Sequence, residues 1–306
     1  MKSVYGFMLI VAFFWAVGHP LGRIILKQVH PFQLASFNLI IGFVAFFIYA
    51  AVTRRLRELK TFSIKDILYS LLLGIIGFFL YQLFTFSALH RIPASMNAVL
   101  ITTNVIFITI FAALLLKERL SFLRVLGILA AATGAVFVVF NRGFVLESDF
   151  NFSGSIFSIL AAVSSAVYSL GGKKILSRRD PISVVLIALF SGTLLLTLFT
   201  AVTTGFAPLG RVTGATWALI IGLGLGMIGL AYPLWFYCLK QVNASEVSIF
   251  IYLVPVFAGV LSFFILNERF GWRFYFGAAL ILSGIFLANF FSRRAAKRTS
   301  PSTRKT

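Results

Sequence analysis

Apolar stretches of about 20 residues recur along almost the whole chain, separated by short clusters of charge, Pro or Gly. Ten can be drawn, at 4–26, 32–52, 67–89, 94–116, 120–140, 155–176, 182–204, 217–239, 246–266 and 274–291. At 1.5 Å per residue, a helix of that length crosses about 30 Å of hydrocarbon. The composition excludes a soluble domain, because only 11% of residues are charged and 60% are hydrophobic, where soluble domains carry roughly 25% charged residues. A net charge of +19 would suggest nucleic acid in a soluble protein. Here the basic residues lie between the apolar runs and in the tail, so the expected partner is a lipid bilayer and not nucleic acid. One cysteine, Cys238, and three histidines supply neither a disulfide framework nor a metal cluster.

Adding 150 to a residue number maps one half of the chain onto the other. Pro31 meets Pro181, Gly42 meets Gly192, Gly74 meets Gly224, and Ala51-Val52-Thr53 meets Ala201-Val202-Thr203. Ala94-Ser95 meets Ala244-Ser245, Glu118-Arg119 meets Glu268-Arg269, and Gly127 and Gly134 meet Gly277 and Gly284. Shared hydrophobicity would produce scattered Leu and Phe matches, whereas Pro, Gly and Glu-Arg have specific backbone or helix-end roles. The chain therefore reads as a tandem duplication: a first five-helix repeat over 1–140, an exterior linker over 141–154, a second repeat over 155–291, and a basic cytoplasmic tail over 292–306.

Five spans is an odd number, so the second copy is expected to enter the membrane from the opposite side. The charges agree. With the N-terminus in the cytoplasm, 20 of the 27 basic residues fall inside, which selects cytoplasmic termini by the positive-inside rule. The loop around Arg54 to Lys65 carries five basic residues and its counterpart only Arg211, while Lys173 to Arg179 carries four where Arg23 to Val29 carries two. The expected fold is thus an all-α, multi-pass cell-membrane protein of ten transmembrane helices, arranged as two inverted five-helix repeats around a central cavity. Inverted repeats characterise secondary carriers with a midplane site between them.

Several motifs now resemble a known family. Phe14-Trp15-Ala16-Val17-Gly18, the Ala94-Ser95 entry to the fourth span, and Lys117-Glu118-Arg119-Leu120 followed by Gly127 and Gly134 are similar to the paired EamA domains of the drug/metabolite transporter superfamily. So are Pro255, Asn267-Glu268-Arg269, Gly277 and Gly284 in the second half. The resemblance covers about residues 6–290. It implies a cavity lined mainly by spans 1, 3, 4, 6, 8 and 9, and small organic metabolites as cargo, often exported amino acids. The chain departs from the family at Val105, where Pro is common in the fourth span, and at Asn38 and Ala188, where an Arg is common in the second span of each repeat.

Deep polar groups are costly in a bilayer, which makes the few present candidates for site or packing roles. Trp15, His19 and Arg23 lie at i, i+4 and i+8 on one face of the first span, with Pro20 beside them. Their counterparts are Ser165, Ser169 and Lys173, with Tyr168 adjacent. Gln82 and Thr85 share a face of the third span, and their counterparts Tyr232 and Trp235 flank Pro233. Asn97, Ile101 and Asn104 line one face of the fourth span, and Ser248, Tyr252 and Pro255 one face of the ninth. The candidate cavity residues are Trp15, His19, Gln82, Asn97, Asn104, Tyr168, Ser169, Tyr232, Trp235 and Tyr252; Pro20, Pro233 and Pro255 are candidate kinks.

Each has a plainer alternative. Gln82, Asn97 and Asn104 read equally well as interhelical hydrogen bonds, and the aromatics as packing. His19 is the candidate titrating group, since imidazole ordinarily has a pKa of about 6.5. Glu118 and Glu268 read as solvated ion pairs or loop caps, and Arg23 and Lys173 as side chains reaching for water. Gly222, Gly224, Gly226 and Gly229 read as close helix approaches. The spacing of Gly127/Gly134 and Gly277/Gly284 suits a helix pair or a homodimer, and the basic tail an orientation signal or a contact to anionic lipid.

These features predict a secondary transporter of small organic metabolites, an exporter of amino acids or related compounds, working by alternating access. No cofactor or metal is expected, because no Gly-rich phosphate loop is present. The alternatives are a transporter of phosphorylated or nucleotide-linked sugars, which needs cations such as Arg23 and Lys173 in its cavity, and a multi-pass membrane enzyme, for which no deep acid/base pair is evident.

Overall fold

Capping residues decide where the helices start, and the two halves use equivalent positions. In the computed structural model, which describes residues 2–89, 91, 97, 100–118, 120–140, 152–206, 212–267 and 269–288, α1 spans Lys2–Ile25 and α2 spans Pro31–Val52. His30 caps α2 in a reciprocal box with Gln33, and Pro31 occupies the first turn, where a missing N–H costs nothing. The counterpart of α1 is α7 (Phe152–Leu176), and that of α2 is α8 (Pro181–Thr203), capped by Asp180 ahead of Pro181. Between them lie α3 (Ile64–Gly74), α4 (Tyr81–Leu89), α5 (Asn104–Leu115) and α6 (Phe122–Val139). The second half continues with α9 (Gly214–Leu223), α10 (Ala231–Gln241), α11 (Ala244–Ser248), α12 (Leu253–Leu266) and α13 (Trp272–Phe286). Ser63 caps α3 and its counterpart Thr213 caps α9.

Two departures from α geometry also recur at equivalent places. A π-helical segment, Ile75–Leu80, joins α3 to α4, and another, Gly224–Leu230, joins α9 to α10. Such wide turns sit mostly at functional positions because they re-aim the side chains that follow. A 3-10 turn, Ile249–Tyr252, joins α11 to α12. Among the described residues, eight helices are long and apolar enough to cross a membrane by length and composition, and shorter apolar helices cover Leu100–Leu115 and Trp272–Phe286. No strand occurs among the described residues.

The halves interlock through swapped contacts. A Cβ on Gly42 in α2 would meet Ile228 and the Gly224 carbonyl; one on Gly192 in α8 would meet the equivalents, Phe78 and the Gly74 carbonyl. Position 18 packs on position 227 as Gly18 against Met227, and the equivalent contact reverses the sizes, Tyr168 against Gly77. Hence the first and second helices of each half seat against the π segment of the other. Equivalent helices also run antiparallel. In α2 and α8 the Ser36 and Thr200 hydroxyls lie 2.8 Å apart, and the Thr193 hydroxyl approaches the Leu39 carbonyl at 3.5 Å. In α6 and α13, Gly127 faces Gly284 and Gly134 faces Gly277 so closely that any Cβ would strike the opposing backbone. The glycine faces that suited either a helix pair or a homodimer are thus used within the chain.

Of the four glycines between 222 and 229, Gly224 and Gly226 are tight against Ile41 and Phe14, Gly229 makes ordinary contacts, and Gly222 faces open space. Close approach therefore applies to two of the four.

Polar ties fasten the two ends of the bundle, sharing one equivalent position each, Arg178 with Gln28 and Arg55 with Gly205, but differing in chemistry. At one end Arg179 Nε donates to Asp66 at 2.9 Å, Arg178 pairs with Asp66 at 3.0 Å and Arg55 with Asp180 at 3.3 Å. At the other end the described ties at Gln28 and Gly205 are neutral: the Thr213 N–H donates to Gln28 at 3.1 Å, and Gln33 Nε2 to the Gly205 carbonyl at 2.9 Å. The linker over 141–151, Ala94, Ser95, Arg119, Arg211, Glu268 and the tail lie outside the described residues.

Candidate functional site

Between the halves lies a cavity of about 590 Å³. Its lining follows α1 from Trp15 through His19 and Arg23 to Leu26, just beyond the end of that helix. In the opposite direction the lining stops at Ser169 on α7 and Trp235 on α10. The cavity therefore reaches the end of the bundle tied by neutral groups and is closed toward the end tied by ion pairs.

Aromatic rings make the closed floor. Trp15 lies 5.4 Å from Trp235 and 5.5 Å from Tyr232 between centroids, Tyr168 lies 6.2 Å from Tyr232, and Phe78 in the first π segment sits beneath Tyr232 at 4.8 Å. These separations are those of tilted and edge-on ring pairs, worth about 0.5–1.5 kcal/mol each beyond area burial. Trp235 and Tyr168 are 1% and 3% exposed, so the floor is tight. The two π segments place it: the first presents Phe78, and the second ends where α10 begins to carry Tyr232 and Trp235.

The walls are more polar. His19 presents an exposed imidazole on α1, and Gln82 and Thr85 line α4. Asn104 Nδ2 donates to Ser165 Oγ at 3.2 Å, and Ser158 Oγ donates to Asn97 Oδ1 at 2.6 Å, so both asparagines link the fourth span to α7. Each also lies on the cavity wall, which combines the two roles the sequence left open. Ser169 donates to the Ser165 carbonyl of its own helix. Trp15 Nε1, Asn38 Oδ1, Asn104 Oδ1 and the Tyr168 hydroxyl are buried without a hydrogen-bond partner among the described residues. Unpaired buried groups of this kind each cost about 1–3 kcal/mol, and here four cluster around one cavity.

Nine of the ten candidate residues thus line a single space; Tyr252 does not, and is buried at 1% exposure. The reason is the 3-10 turn over Ile249–Tyr252. It advances about 120° per residue instead of 100° and breaks the i, i+4, i+7 stripe. Of that stripe Pro255 faces the cavity, with Ile251 and Val254 in place of Ser248 and Tyr252. Pro20 lies within α1, whose helix continues through it to Ile25, and Pro233 and Pro255 occupy the first turns of α10 and α12, where the helix type changes. Asn38 is a lining residue that the sequence marked only as a family departure.

Lys173 does not reach for water. Its ammonium donates to the Leu239 carbonyl at 3.0 Å and to the Val242 carbonyl, and lies 3.8 Å from Glu118. Glu118 caps α11, accepting from the Ala244 N–H at 2.7 Å and the Ser245 hydroxyl at 2.8 Å. Sequence reading missed the Arg124–Glu246 pair at 2.8 Å, and the Asp66 cluster, because the partners are 100 or more residues apart. Their one signal was acidic residues at helix starts near basic helix ends. Among the described residues no group of three or more His, Cys, Asp or Glu could hold a metal ion.

Known proteins bear on this arrangement. The EamA-like transporter family matches twice, over residues 2–140 and 152–290, two stretches offset by the 150 residues that relate the halves. An uncharacterized transporter of Archaeoglobus fulgidus is 26% identical over 273 residues, covering 89% of this chain and 92% of that protein. The uncharacterized transporter YoaV of Bacillus subtilis is 24% identical over 285 residues, covering 93% and 96%. A probable terminal-alkyne amino-acid exporter of Streptantibioticus cattleyicolor is 29% identical over 215 residues, covering 70% and 69%. A solved crystal structure superposes with a TM-score of 0.83 at 21% identity, over 96% of this chain and 99% of its own, and so shares the fold. With both halves matched, this chain is a multi-pass membrane protein belonging to the EamA-like transporter family, within the drug/metabolite transporter superfamily.

Proposed function

We propose that the chain is a secondary carrier of small organic solutes that works by alternating access between two inverted five-helix repeats, ten spans in all. The observation that carries this reading is the cavity: it is built by both halves, reaches one end of the bundle and stops at an aromatic floor short of the other. The antiparallel packing of equivalent helices and the swapped glycine contacts support the inversion. An inverted pair has two related packings, and exchanging them moves the opening from one face to the other. Trp15, Tyr168, Tyr232 and Trp235 would hold the apolar body of the solute, and His19, Gln82, Asn97, Asn104 and Ser169 its polar groups. Pro233 and Pro255, at changes of helix type, would be the bending points.

The direction is export and the cargo amino acids or related compounds, by analogy with the amino-acid exporter that is similar over 70% of the chain. The positive-inside rule places the ion-paired end and both termini in the cytoplasm of a cell membrane. Phosphorylated cargo is disfavoured, because Lys173 is turned to backbone carbonyls and Glu118, which leaves Arg23 as the one Lys or Arg among the described lining residues.

A ligand-stability screen on purified protein followed by flux in proteoliposomes tests the reading. An amino acid or related metabolite should raise the unfolding temperature, and its radiolabelled form should leave loaded vesicles chemically unchanged. Conversion to a new product, or no flux for any stabilising compound, would overturn it.

A further inference from the structure

Beneath the aromatic floor lies a buried charged cluster with no part in lining the cavity. Glu118 and Arg124 side chains are each 5% exposed, Glu246 10% and Lys173 20%. Taking such charges out of water is costly, and a buried ion pair often stabilises a fold no better than apolar side chains of the same volume. The geometry shows what these charges hold. Lys173 grips the carbonyls of Leu239 and Val242, Glu118 the N–H groups of Ala244 and Ser245, and Arg124 the Ser245 hydroxyl at 3.3 Å and Glu246. All these contacts converge on 239–246, the last residues of α10, the two-residue link and the first turn of α11, called the connector below.

Both sides of the cluster are coupled to that floor. Lys173 lies about one turn beyond Ser169, where the α7 lining ends, and Leu239 one turn beyond Trp235, where the α10 lining ends. Tyr168 and Phe236 meet between them at 5.0 Å, and Gly172 abuts the Phe236 ring. Beyond the connector, α11 has five residues and gives way to the 3-10 turn, so the chain there is broken into short helical pieces. Glu118 and Arg124 come from the first half of the chain, and Lys173 and the connector from the second. Separating the halves at this end separates these groups.

We propose that Glu118, Lys173 and Arg124 are the gate residues of the carrier: their ion pairs and backbone hydrogen bonds to the 239–246 connector hold the cavity shut at this end, and each transport cycle requires them to part. This rests on the alternating-access reading. Parting exposes both carboxylates and both cations to water together, so the desolvation recovered on opening offsets the lost pairing. The balance makes such a cluster a latch that can be undone.

The test uses full-length protein carrying Cys238→Ser and one reporter cysteine, Thr85→Cys, on the cavity wall. An impermeant maleimide is applied from either face of oriented vesicles. In the parent, labelling from the gated face should be slow. Glu118→Gln or Lys173→Met should speed it about fivefold or more and slow labelling from the other face, as a shift in a two-state equilibrium requires; Lys173→Arg should behave as the parent. Unchanged labelling from the gated face in both folded variants overturns the proposal.

A second arm does not depend on those variants folding. Glu118→Cys with Ser245→Cys in the Cys238→Ser background, bridged after purification by a short bis-methanethiosulfonate, which forms two reducible disulfides as methanesulfinate leaves, should lose at least about tenfold in flux and recover it on reduction. Full flux in the bridged protein overturns the proposal. The carrier reading fails separately, if the parent reporter is reached from one face only under every condition, solute included.

Discussion

Four rings from three helices, Trp15, Tyr168, Tyr232 and Trp235, meet at the floor of the cavity, and their polar atoms have different fates. Trp15 Nε1 and the Tyr168 hydroxyl are buried and unpaired, which leaves them able to bind a polar group once the rings turn. His19 stands one turn above Trp15 on the same face of α1. Replacing Tyr232 or His19 by Ala should therefore raise the half-saturating solute concentration about three- to tenfold, the size of one lost aromatic contact or hydrogen bond. Surface expression should stay intact, and unchanged transport kinetics in both variants would remove them from the site. The spacing of these residues was legible in the sequence because α1, α4 and α10 are regular over the stretches concerned. Tyr252 was misplaced because a 3-10 turn leaves no mark in a pattern of apolar residues.

At the scale of elements, α6 and α13 form a tightly apposed helix pair. Gly127 and Gly284 approach so nearly that a side chain at either meets backbone, which cannot move aside. Gly127→Leu or Gly284→Leu should destabilise by about 1–3 kcal/mol or more and lower the thermal midpoint, whereas Gly222→Ala, which faces open space, should cost no stability beyond about 0.5 kcal/mol and should not lower the midpoint measurably. Equal midpoints for the two classes would show that the approach is not tight in the membrane. The glycine pattern was visible in the sequence, but its partner was not. A seven-residue spacing says that one face is smooth and is silent about whether another helix of the chain or a second molecule covers it. The π segments were equally hidden, since Ile75–Leu80 and Gly224–Leu230 read as uninterrupted apolar helix.

For the whole molecule, the duplication was the strongest signal in the sequence, because Pro, Gly and helix-capping residues mark backbone geometry and not mere greasiness. The structure adds how the halves engage, with each π segment received by the opposite half. If the repeats are inverted, equivalent positions lie on opposite faces of the bilayer. Cysteines placed singly at Gln28 and at its counterpart Arg178, with Cys238→Ser, should react with an impermeant maleimide from opposite sides of the membrane. Reaction from the same side would dismantle the inverted arrangement and the transport cycle built on it.

Among the described residues, carboxylates and guanidinium groups tie one end, and amide and backbone groups make ties at the other. Arg55 and Arg178 are 48% and 64% exposed, so dissolved ions screen their attraction, while the amide contacts at the far end are indifferent to electrolyte. The resting posture of the protein should accordingly depend on brine. Going from about 0.01 M to 1 M ionic strength, which shortens the Debye length from about 30 to 3 Å, should slacken the rim held by Arg55 and Arg178 and tilt an idle population toward facing that side, a drift that labelling of a wall cysteine would register before any cargo is added.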